Sequence, residues 1–250
     1  MKAPLKSALI RYLLVLSTLA VLFTPLYMYF SDDVAKLNSQ WPHLVEKSEP
    51  AEYIVKKGQP KSWVTLKQIS NFGKWAIVLC EDWAFYEHEG IDIKQMKAAI
   101  NDMMTDKRFR GASTITQQMV KNVFLSNDRS LWRKVHELIL SHKVENVLTK
   151  DRILEVYLNV IEFGPSIYGI KNASYHYFKK HPSNLSPREG AFLAMLLPSP
   201  KRYYVSFQKK KLTPFALSRI IAILGKLRMG KYISHERYEK EKISLMSWER

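Results

Sequence analysis

Residues 69–90, ISNFGKWAIVLCEDWAFYEHEG, decide how this chain is interpreted. Apolar residues recur from Ile69 to Leu79 at the spacing of one helix face, which predicts an amphipathic helix. The helix runs directly into two adjacent carboxylates, Glu81 and Asp82, which are followed by aromatic residues. Partial desolvation there would raise a carboxyl pKa toward the range useful for proton transfer. On this segment alone, a hydrated acid pair at an exposed helix end is an equal alternative.

The same helical periodicity recurs along most of the chain. It predicts further helices within residues 96–104, 114–124, 131–148, 152–160, 188–197 and 215–227. Runs of alternating apolar and polar residues are scarce, so the fold class is predicted to be mainly α, with one globular domain at residues 61–250. Residues 31–60 contain Pro42, Pro50 and Pro60, which indicates a stalk leading into that domain. The single cysteine, Cys80, excludes an internal disulfide.

Residues 12–30, YLLVLSTLAVLFTPLYMYF, carry no charge and are long enough to cross a bilayer as a helix. Lys2, Lys6 and Arg11 precede them, so the positive-inside rule predicts that residues 1–11 lie in the cytoplasm. The following domain would face the periplasmic or external side of the membrane. A cleaved signal peptide is the alternative, although no small-residue cleavage site follows the apolar stretch.

The formal net charge of +16 indicates anionic partners. Nucleic acid is a common partner for such a charge, but a domain tethered outside the membrane meets anionic lipid headgroups and lipid-linked diphosphates instead. We therefore expect membrane lipids, and no nucleic acid, among its partners.

Residues 110–122, RGASTITQQMVKN, form a second block in which a glycine turn opens a helix. Thr114 and Gln117 fit a capping box, and free N–H groups at a helix start attract phosphate. Gln117 and Lys121 lie one turn apart and would add an amide and a cation to the same face. An ordinary capped helix is the alternative interpretation.

Two later blocks are less decisive. In residues 129–145, RSLWRKVHELILSHKVE, Arg133 and Glu137 are one helical turn apart, a spacing equally typical of a surface salt bridge worth less than about 1 kcal/mol. Residues 150–169, KDRILEVYLNVIEFGPSIYG, begin as a helix and end in a loop, and we interpret them mainly as scaffold.

Taken together, EDxxFxxHxGID from residue 81, GASTITQQxxKN from 111, RKxxE from 133 and KxxILExYLN from 150 resemble, in order and spacing, the signature blocks of the peptidoglycan glycosyltransferases. The resemblance extends over roughly residues 60–240. It implies a lysozyme-like helical fold in the bacterial cytoplasmic membrane and a polymerase that joins lipid II units by β-1,4 bonds, with release of undecaprenyl diphosphate.

The resemblance also assigns roles to individual residues. Glu81 matches the catalytic base, and Glu137 matches a second essential carboxylate near the leaving diphosphate. The positions that match the donor diphosphate and sugar sites are Ser113, Gln117, Gln118, Lys121, Arg129, Arg133 and Lys134. Asp82, Phe85, His88 and Asn122 complete the motifs. No organic cofactor is implied, whereas a divalent cation such as Mg²⁺ at Glu137 is left open.

The implied partners are lipid II, the nascent glycan chain and other cell-wall synthesis proteins. Bifunctional relatives carry a transpeptidase domain, and Ser206 and Lys209 fit S-x-x-K, but no K-T-G follows, so a monofunctional enzyme is expected. A glycan-cleaving lysozyme-like enzyme and a non-catalytic membrane-tethered scaffold for cell-wall assembly are the competing hypotheses.

Overall fold

A computed structural model describes residues 10–15, 17–18, 31–45, 51–105, 111, 113–125 and 130–249. The described chain is mainly helical, as predicted. The principal helices are α1 (Ser31–Lys36), α2 (Asn71–Glu81), α3 (Ile93–Met104), α4 (Ile115–Phe124), α5 (Leu131–Val147), α6 (Lys150–Val160), α7 (Ile170–Phe178), α8 (Pro187–Leu196), α9 (Pro200–Tyr203), α10 (Val205–Gln208), α11 (Pro214–Met229) and α12 (His235–Ile243). Short 3₁₀ turns lie at Leu66–Gln68 and Pro182–Asn184.

Most helix starts are marked by a side chain that caps them. A Ser, Thr or Asp oxygen accepts the amide N–H three residues later, which satisfies one of the donors left free at a helix N-terminus. The capping residues are Ser70, Asp92, Thr114, Ser130, Thr149, Ser186, Thr213 and Ser234. The capping box predicted for Thr114 and Gln117 is confirmed.

Helix α8 lies at the centre of the core. Every residue from Pro187 to Leu196 is buried, and the helix packs against α2, α11 and α12. A second group of helices forms around α4, which packs against α5 and α6. Since α2 ends at Glu81, its carboxylate emerges where these two groups meet.

The segment predicted as a stalk contains ordered structure that packs on the domain. Strands β1 (Trp41–Leu44) and β2 (Tyr53–Lys56) form an antiparallel pair. Val34 in α1 and Leu37 directly after it are buried. These residues pack because their apolar side chains lie against α5 and β2, so the described part is not an irregular stalk. Residues 46–50 lie outside the described chain, and the boundary at residue 60 remains a prediction.

The membrane span predicted for residues 12–30 falls largely outside the described residues. Residues 10–15 and 17–18 are helical, whereas 1–9, 16 and 19–30 are not described. Within the described part of the chain, no helix is both long enough and apolar enough to cross a membrane.

The second small sheet and α7 were not predicted. Strand β3 (Glu162–Gly164) pairs with β4 (Ile167–Tyr168), and Gly169 leads into α7 with a φ of 79°. A side chain on Gly169 would meet the carbonyl oxygen of Asn159 at 2.6 Å. These strands are too short to show an alternating pattern, so they carry no clear sequence signal.

The contacts of Asn159 and Glu155 in the fourth block are those of a scaffold, which agrees with its interpretation as mainly scaffold. Asn159 accepts the amide N–H of Val64 at 2.9 Å and donates to the Val64 carbonyl at 2.8 Å. Glu155 accepts the indole N–H of Trp63 at 3.1 Å and the amide N–H of Leu66 at 2.9 Å. Helix α6 thus fixes the segment that leads into α2.

Gly190 allows α8 to approach α2 closely, because a Cβ there would lie 2.8 Å from the carbonyl oxygen of Phe72 and 2.9 Å from the Cα of Gly73. Gly190→Ala is expected to destabilise the fold by about 1–3 kcal/mol through overpacking, measured by urea unfolding.

The matched control is Gly225→Ala in α11, where a Cβ has no neighbour within 4 Å. It should leave stability unchanged or raise it by up to about 1 kcal/mol, because alanine favours the helix. Equal stability of the two variants would contradict close packing at Gly190.

Candidate active site

Glu81 is the last residue of α2, and its carboxylate lies in a cavity of about 470 Å³. The Gln118 side-chain amide donates to Glu81 Oε2 at 3.0 Å. Burial raises the pKa of Glu81 above its ordinary value, and the Gln118 bond and the charges of Lys226 and Arg219 oppose only part of that shift. The predicted direction is confirmed, although the neighbouring Trp83 is 58% exposed and does not cover the carboxylate as expected.

Tyr157 orients the amide that contacts Glu81. Its fully buried hydroxyl donates to Gln118 Oε1 at 3.0 Å, which leaves the Gln118 N–H₂ group to face Glu81. Burial raises the pKa of Tyr157 well above its ordinary value, so the phenol keeps the proton that this bond requires. The connection from Glu81 through Gln118 to Tyr157 was not predicted, because these residues belong to three separate blocks.

Tyr157→Phe is expected to lower kcat about tenfold, because Gln118 loses the bond that orients it. Loss of the Gln118 bond to Glu81 would also raise the Glu81 pKa further and move the acid limb of the pH–rate profile to higher pH.

The control is Tyr177→Phe, which removes a buried hydroxyl that donates to the Phe163 carbonyl at 2.8 Å. It should cost about 1 kcal/mol of stability without moving the pH profile. Identical pH profiles for Tyr157→Phe and the unmodified enzyme would contradict the orienting role.

The same cavity collects residues from several blocks. Besides Glu81, its lining includes Ser113, Gln117, Gln118, Lys121, Glu137, Pro198 and Arg219. A second cavity of about 430 Å³ shares Cys80, Glu81, Gly111, Ser113 and Arg219 with the first and adds Asp92, Gln95 and Lys226. Glu81 therefore lines two adjoining cavities, as a group between two substrates would. Arg129 lies outside the described residues.

Glu137 is a buried carboxylate that holds two cations. Its side chain is 3% exposed, accepts from Arg133 Nη1 at 2.8 Å and forms an ion pair with Lys134. Lys134 also reaches the Ser113 hydroxyl at 3.5 Å. The cluster carries one net positive charge. Because Glu137 is buried, this ion pair is not the surface salt bridge that the spacing alone allowed.

The surroundings of Glu137 do not fit a divalent cation. Both carboxylate oxygens already accept from cationic nitrogens, so a divalent cation at Glu137 would have to displace Arg133 and Lys134. We therefore derive no step through a metal. Among the described residues, Asp82, His88 and Asp92 form the one group spaced to hold an ion.

Asp82 and His88 hold the loop between α2 and α3, residues 82–92, against α4. His88 Nε2 lies 2.9 Å from Asp82 Oδ1, and Asp82 Oδ2 accepts the Ile115 amide N–H at 2.9 Å. These contacts occupy Asp82 in capping a helix. Asp82 therefore positions Gln118 relative to Glu81, instead of acting as a second base.

A second set of hydrogen bonds joins the same loop to α5 and α6. Lys150 donates to the His88 carbonyl at 2.5 Å and to Glu145 at 2.8 Å, and Glu145 accepts from the Thr116 hydroxyl at 2.5 Å. Lys150 also lies 4.5 Å from the centre of the buried Phe85 ring. Asn122 donates to the Gln118 carbonyl at 2.8 Å. Phe85, His88 and Asn122 thus support the site from outside the cavity.

Arg219 and Lys226 on α11 are site residues that the sequence did not reveal. Both are exposed on one stripe of the helix, both line cavities that contain Glu81, and Lys226 donates to the Leu79 carbonyl at 2.6 Å. The two basic residues are seven positions apart, which places them on one helix face and could have indicated a site. Basic residues on a solvent-exposed helix face show the same spacing, so the sequence did not distinguish the two.

Ser206 is not placed to act as a nucleophile. It is 1% exposed, and its hydroxyl accepts the Thr213 amide N–H at 3.3 Å, while Lys209 is exposed. The S-x-x-K pattern is therefore coincidental.

Comparison with known proteins identifies the family. The family model described as "Transglycosylase" matches residues 47–227, which is most of the chain. This chain belongs to the transglycosylase family. The four sequence blocks and the cavity that they build therefore lie in a transglycosylase domain, and the family resemblance is confirmed.

Curated relatives in the transglycosylase family are named biosynthetic peptidoglycan transglycosylase. The protein of Bdellovibrio bacteriovorus is 43% identical over 148 residues, which cover 59% of each chain. That of Nitrosomonas eutropha is 39% identical over 170 residues, 68% of each chain, and that of Bordetella pertussis is 40% identical over 172 residues, 67% of this chain and 69% of the relative. The chain thus matches about three fifths to two thirds of their lengths.

Among solved structures, the chain is similar to penicillin-binding protein 1A from Haemophilus influenzae. The match covers 84% of this chain and 22% of that one, at 17% identity and a TM-score of 0.38. A similarity at that level carries no argument about the transglycosylase site.

Proposed function

We propose that this protein is a membrane-anchored peptidoglycan glycosyltransferase that polymerises lipid II into β-1,4-linked strands and releases undecaprenyl diphosphate. The observation that carries the proposal is Glu81, a half-buried carboxylate of raised pKa in a cavity that Lys121 and Arg219 also line. The names of the curated relatives support the same activity.

Glu81 is suited to act as general base. Its carboxylate takes the proton of the acceptor 4-hydroxyl while that oxygen attacks the anomeric carbon of the donor, and the bond from this carbon to the diphosphate breaks. A raised pKa brings the base nearer to the working pH, where proton transfer is most effective. Gln118 holds the carboxylate in place.

The cationic side chains act on the leaving group. As the bond breaks, negative charge grows on the diphosphate oxygens, and fixed cations stabilise that charge more in the transition state than in the ground state. Lys121 lines the cavity, and Glu137 holds Arg133 and Lys134 beside it. Because Glu137 is already neutralised by these cations, we assign it to positioning them.

Exposed apolar residues that line the second cavity, or lie within three residues of its lining in the chain, support a location at the membrane surface, and we call them the apolar rim. Trp83 is 58% exposed, Ile93 57% and Met229 79%, and Lys226 lies among the residues that line this cavity with Trp83. Exposed apolar side chains with a cationic fringe are typical of a surface that lies in the lipid interface. Together with the uncharged residues 12–30, this rim supports an anchored enzyme whose domain faces outward.

A lipid II polymerisation assay tests the proposal. The purified full chain is incubated with lipid II in one reaction and with finished peptidoglycan in another. We expect long glycan strands and undecaprenyl diphosphate from lipid II and no soluble fragments from the peptidoglycan. Fragments without polymer would identify a glycan-cleaving enzyme, and no reaction with either substrate would favour the scaffold hypothesis.

A further inference from the structure

A stacked aromatic pair lies at the surface where α9 and the start of α11 meet. The rings of Tyr203 and Phe215 have centroids 5.0 Å apart and planes inclined by 29°, and Phe215 is 49% exposed. We call Tyr203 and Phe215 the aromatic shelf. A large aromatic ring left half in solvent offers an apolar face that nothing in the described chain covers.

The aromatic shelf adjoins the first cavity along two chain segments. Pro198 lines that cavity, and α9 begins two residues later at Pro200 and carries Tyr203. Arg219 lines the same cavity and follows Phe215 by one helical turn, a rise of about 6 Å. The shelf residues are thus within five residues of Pro198 and Arg219, which line the first cavity.

The surface around the aromatic shelf is strongly basic. Between Glu162 and Glu236 the sequence has one acidic residue, Glu189, against thirteen lysines and arginines, and Glu189 is paired with Lys180. Lys201, Arg202 and Lys211 are the exposed members nearest to the shelf in the chain, and none forms an ion pair with a described residue.

The shelf lies at the end of α11 that is remote from the apolar rim. Phe215 and Met229 are fourteen residues apart on one stripe of α11, which corresponds to about 21 Å along the axis. Met229 marks the end at which Lys226 lines the second cavity with Trp83. The aromatic shelf is thus about 21 Å along α11 from the end next to the apolar rim, a separation that favours a soluble ligand over lipid at the shelf.

We infer that the aromatic shelf and the three cations around it form a binding site for a carboxylate-bearing saccharide strand, namely the glycan as it extends from the cavity. The C–H faces of a sugar ring pack on an aromatic ring, and Lys201, Arg202 and Lys211 meet the carboxylates of the peptides that the strand carries. This inference rests on the proposed polymerase function and assigns its product a path.

Strand binding can be measured without polymerisation. The probes are two lipid-free soluble glycan preparations, one with its peptides and one stripped of them, titrated onto the full-length protein in detergent. Phe215→Ala should weaken binding of both preparations about threefold to tenfold, because it removes the stacking face. The triple variant K201E/R202E/K211E should weaken only the peptide-bearing preparation, because stripped strands offer no peptide carboxylates.

Three controls separate the site from general effects. Tyr175→Ala removes another exposed aromatic ring, 45% exposed on α7, and the pair K56E/K57E reverses charge on the exposed hairpin; neither should alter strand binding. Phe215→Leu keeps an apolar side chain that preserves folding and lacks a ring, and it should behave like Phe215→Ala.

With lipid II as substrate, Phe215→Ala should shorten the strands, because a strand held less firmly at the shelf dissociates after fewer additions. Unchanged strand binding by Phe215→Ala and Phe215→Leu would overturn the inference. The triple charge-reversal variant would also overturn the inference if it still bound both glycan preparations but no longer bound anionic vesicles or an acidic peptide. The three cations would then bind other anions and not the strand. A wild-type protein that binds strands at the shelf but does not consume lipid II would refute the polymerase alone.

Discussion

Glu81→Gln is expected to lower the rate of lipid II polymerisation by about 10²- to 10⁴-fold, the usual contribution of a general base. The amide keeps the size of the carboxylate and its contact with Gln118 but cannot accept the proton of the acceptor hydroxyl. Release of undecaprenyl diphosphate from lipid II, followed over time, measures the effect. An unchanged rate would rule out Glu81 as the base.

Glu87→Gln is the matched control for this prediction. Glu87 lies in the same loop but is exposed, outside the residues that line the two cavities. Its replacement should leave the rate within about twofold of the unmodified enzyme, as expected for a surface change away from such features. A large loss for both variants would point to disruption of the loop and not to lost proton transfer.

The raised pKa of Glu81 makes a separate prediction about pH. Because burial favours the protonated form, the base is lost at a higher pH than the value of about 4.3 for an ordinary glutamate, and polymerisation should fall there. The same shift means that ionised Glu81 destabilises the fold above its native pKa. Glu81→Gln should therefore be more stable than the unmodified protein at neutral pH, and this difference should vanish below about pH 4.

Glu137→Gln is expected to lower the polymerisation rate by about a hundredfold or more, the scale on which one preorganised electrostatic contact acts. Arg133 and Lys134 both converge on this 3% exposed carboxylate, and without its charge they repel each other and swing toward solvent. The loss should appear mainly in kcat, because the cations act on charge that develops as the diphosphate leaves.

Glu241→Gln separates this effect from ordinary destabilisation. Like Glu137, Glu241 is buried, with a side chain 7% exposed, and pairs with an arginine one turn earlier, Arg237. It lies on α12 and is not among the residues that line the two cavities. Both variants should cost about 1–3 kcal/mol in urea unfolding, whereas only Glu137→Gln should lose activity. Similar activity in the two variants would mean that the Arg133–Lys134–Glu137 cluster is only structural.

Helices with long, periodic apolar faces were predictable, because the spacing of apolar residues along the sequence indicates which side is buried. The helices that carry Glu81, Gln118, Glu137 and Asn159 all belong to this group. The short strands β3 and β4 escaped prediction, since elements of two or three residues have no measurable period. Helix α7 escaped because Gly164, Pro165 and Gly169 before it indicated a loop. The hairpin of β1 and β2 escaped because its proline-rich composition indicated an irregular segment.

Within the candidate site, the sequence alone proposed residues from separate blocks, and the structure brings Glu81, Lys121 and Glu137 into the lining of one cavity. The sequence could propose them because residues within one block lie close together in space by helix geometry, as Arg133 and Glu137 do one turn apart. It also predicted correctly that Thr114 caps α4 and that the chain belongs to its family.

Only the tertiary structure decided what each group faces. Burial of Glu81, the chain of contacts through Gln118 to Tyr157, and the approach of Arg219 and Lys226 from α11 join residues that are 37 to 147 positions apart. A pKa depends on desolvation and on charges within a few ångströms, and both are set by packing between distant segments, which local spacing does not encode. The sequence determined the groups and the helices that carry them, and the fold determined which carboxylate is desolvated and which one holds two cations.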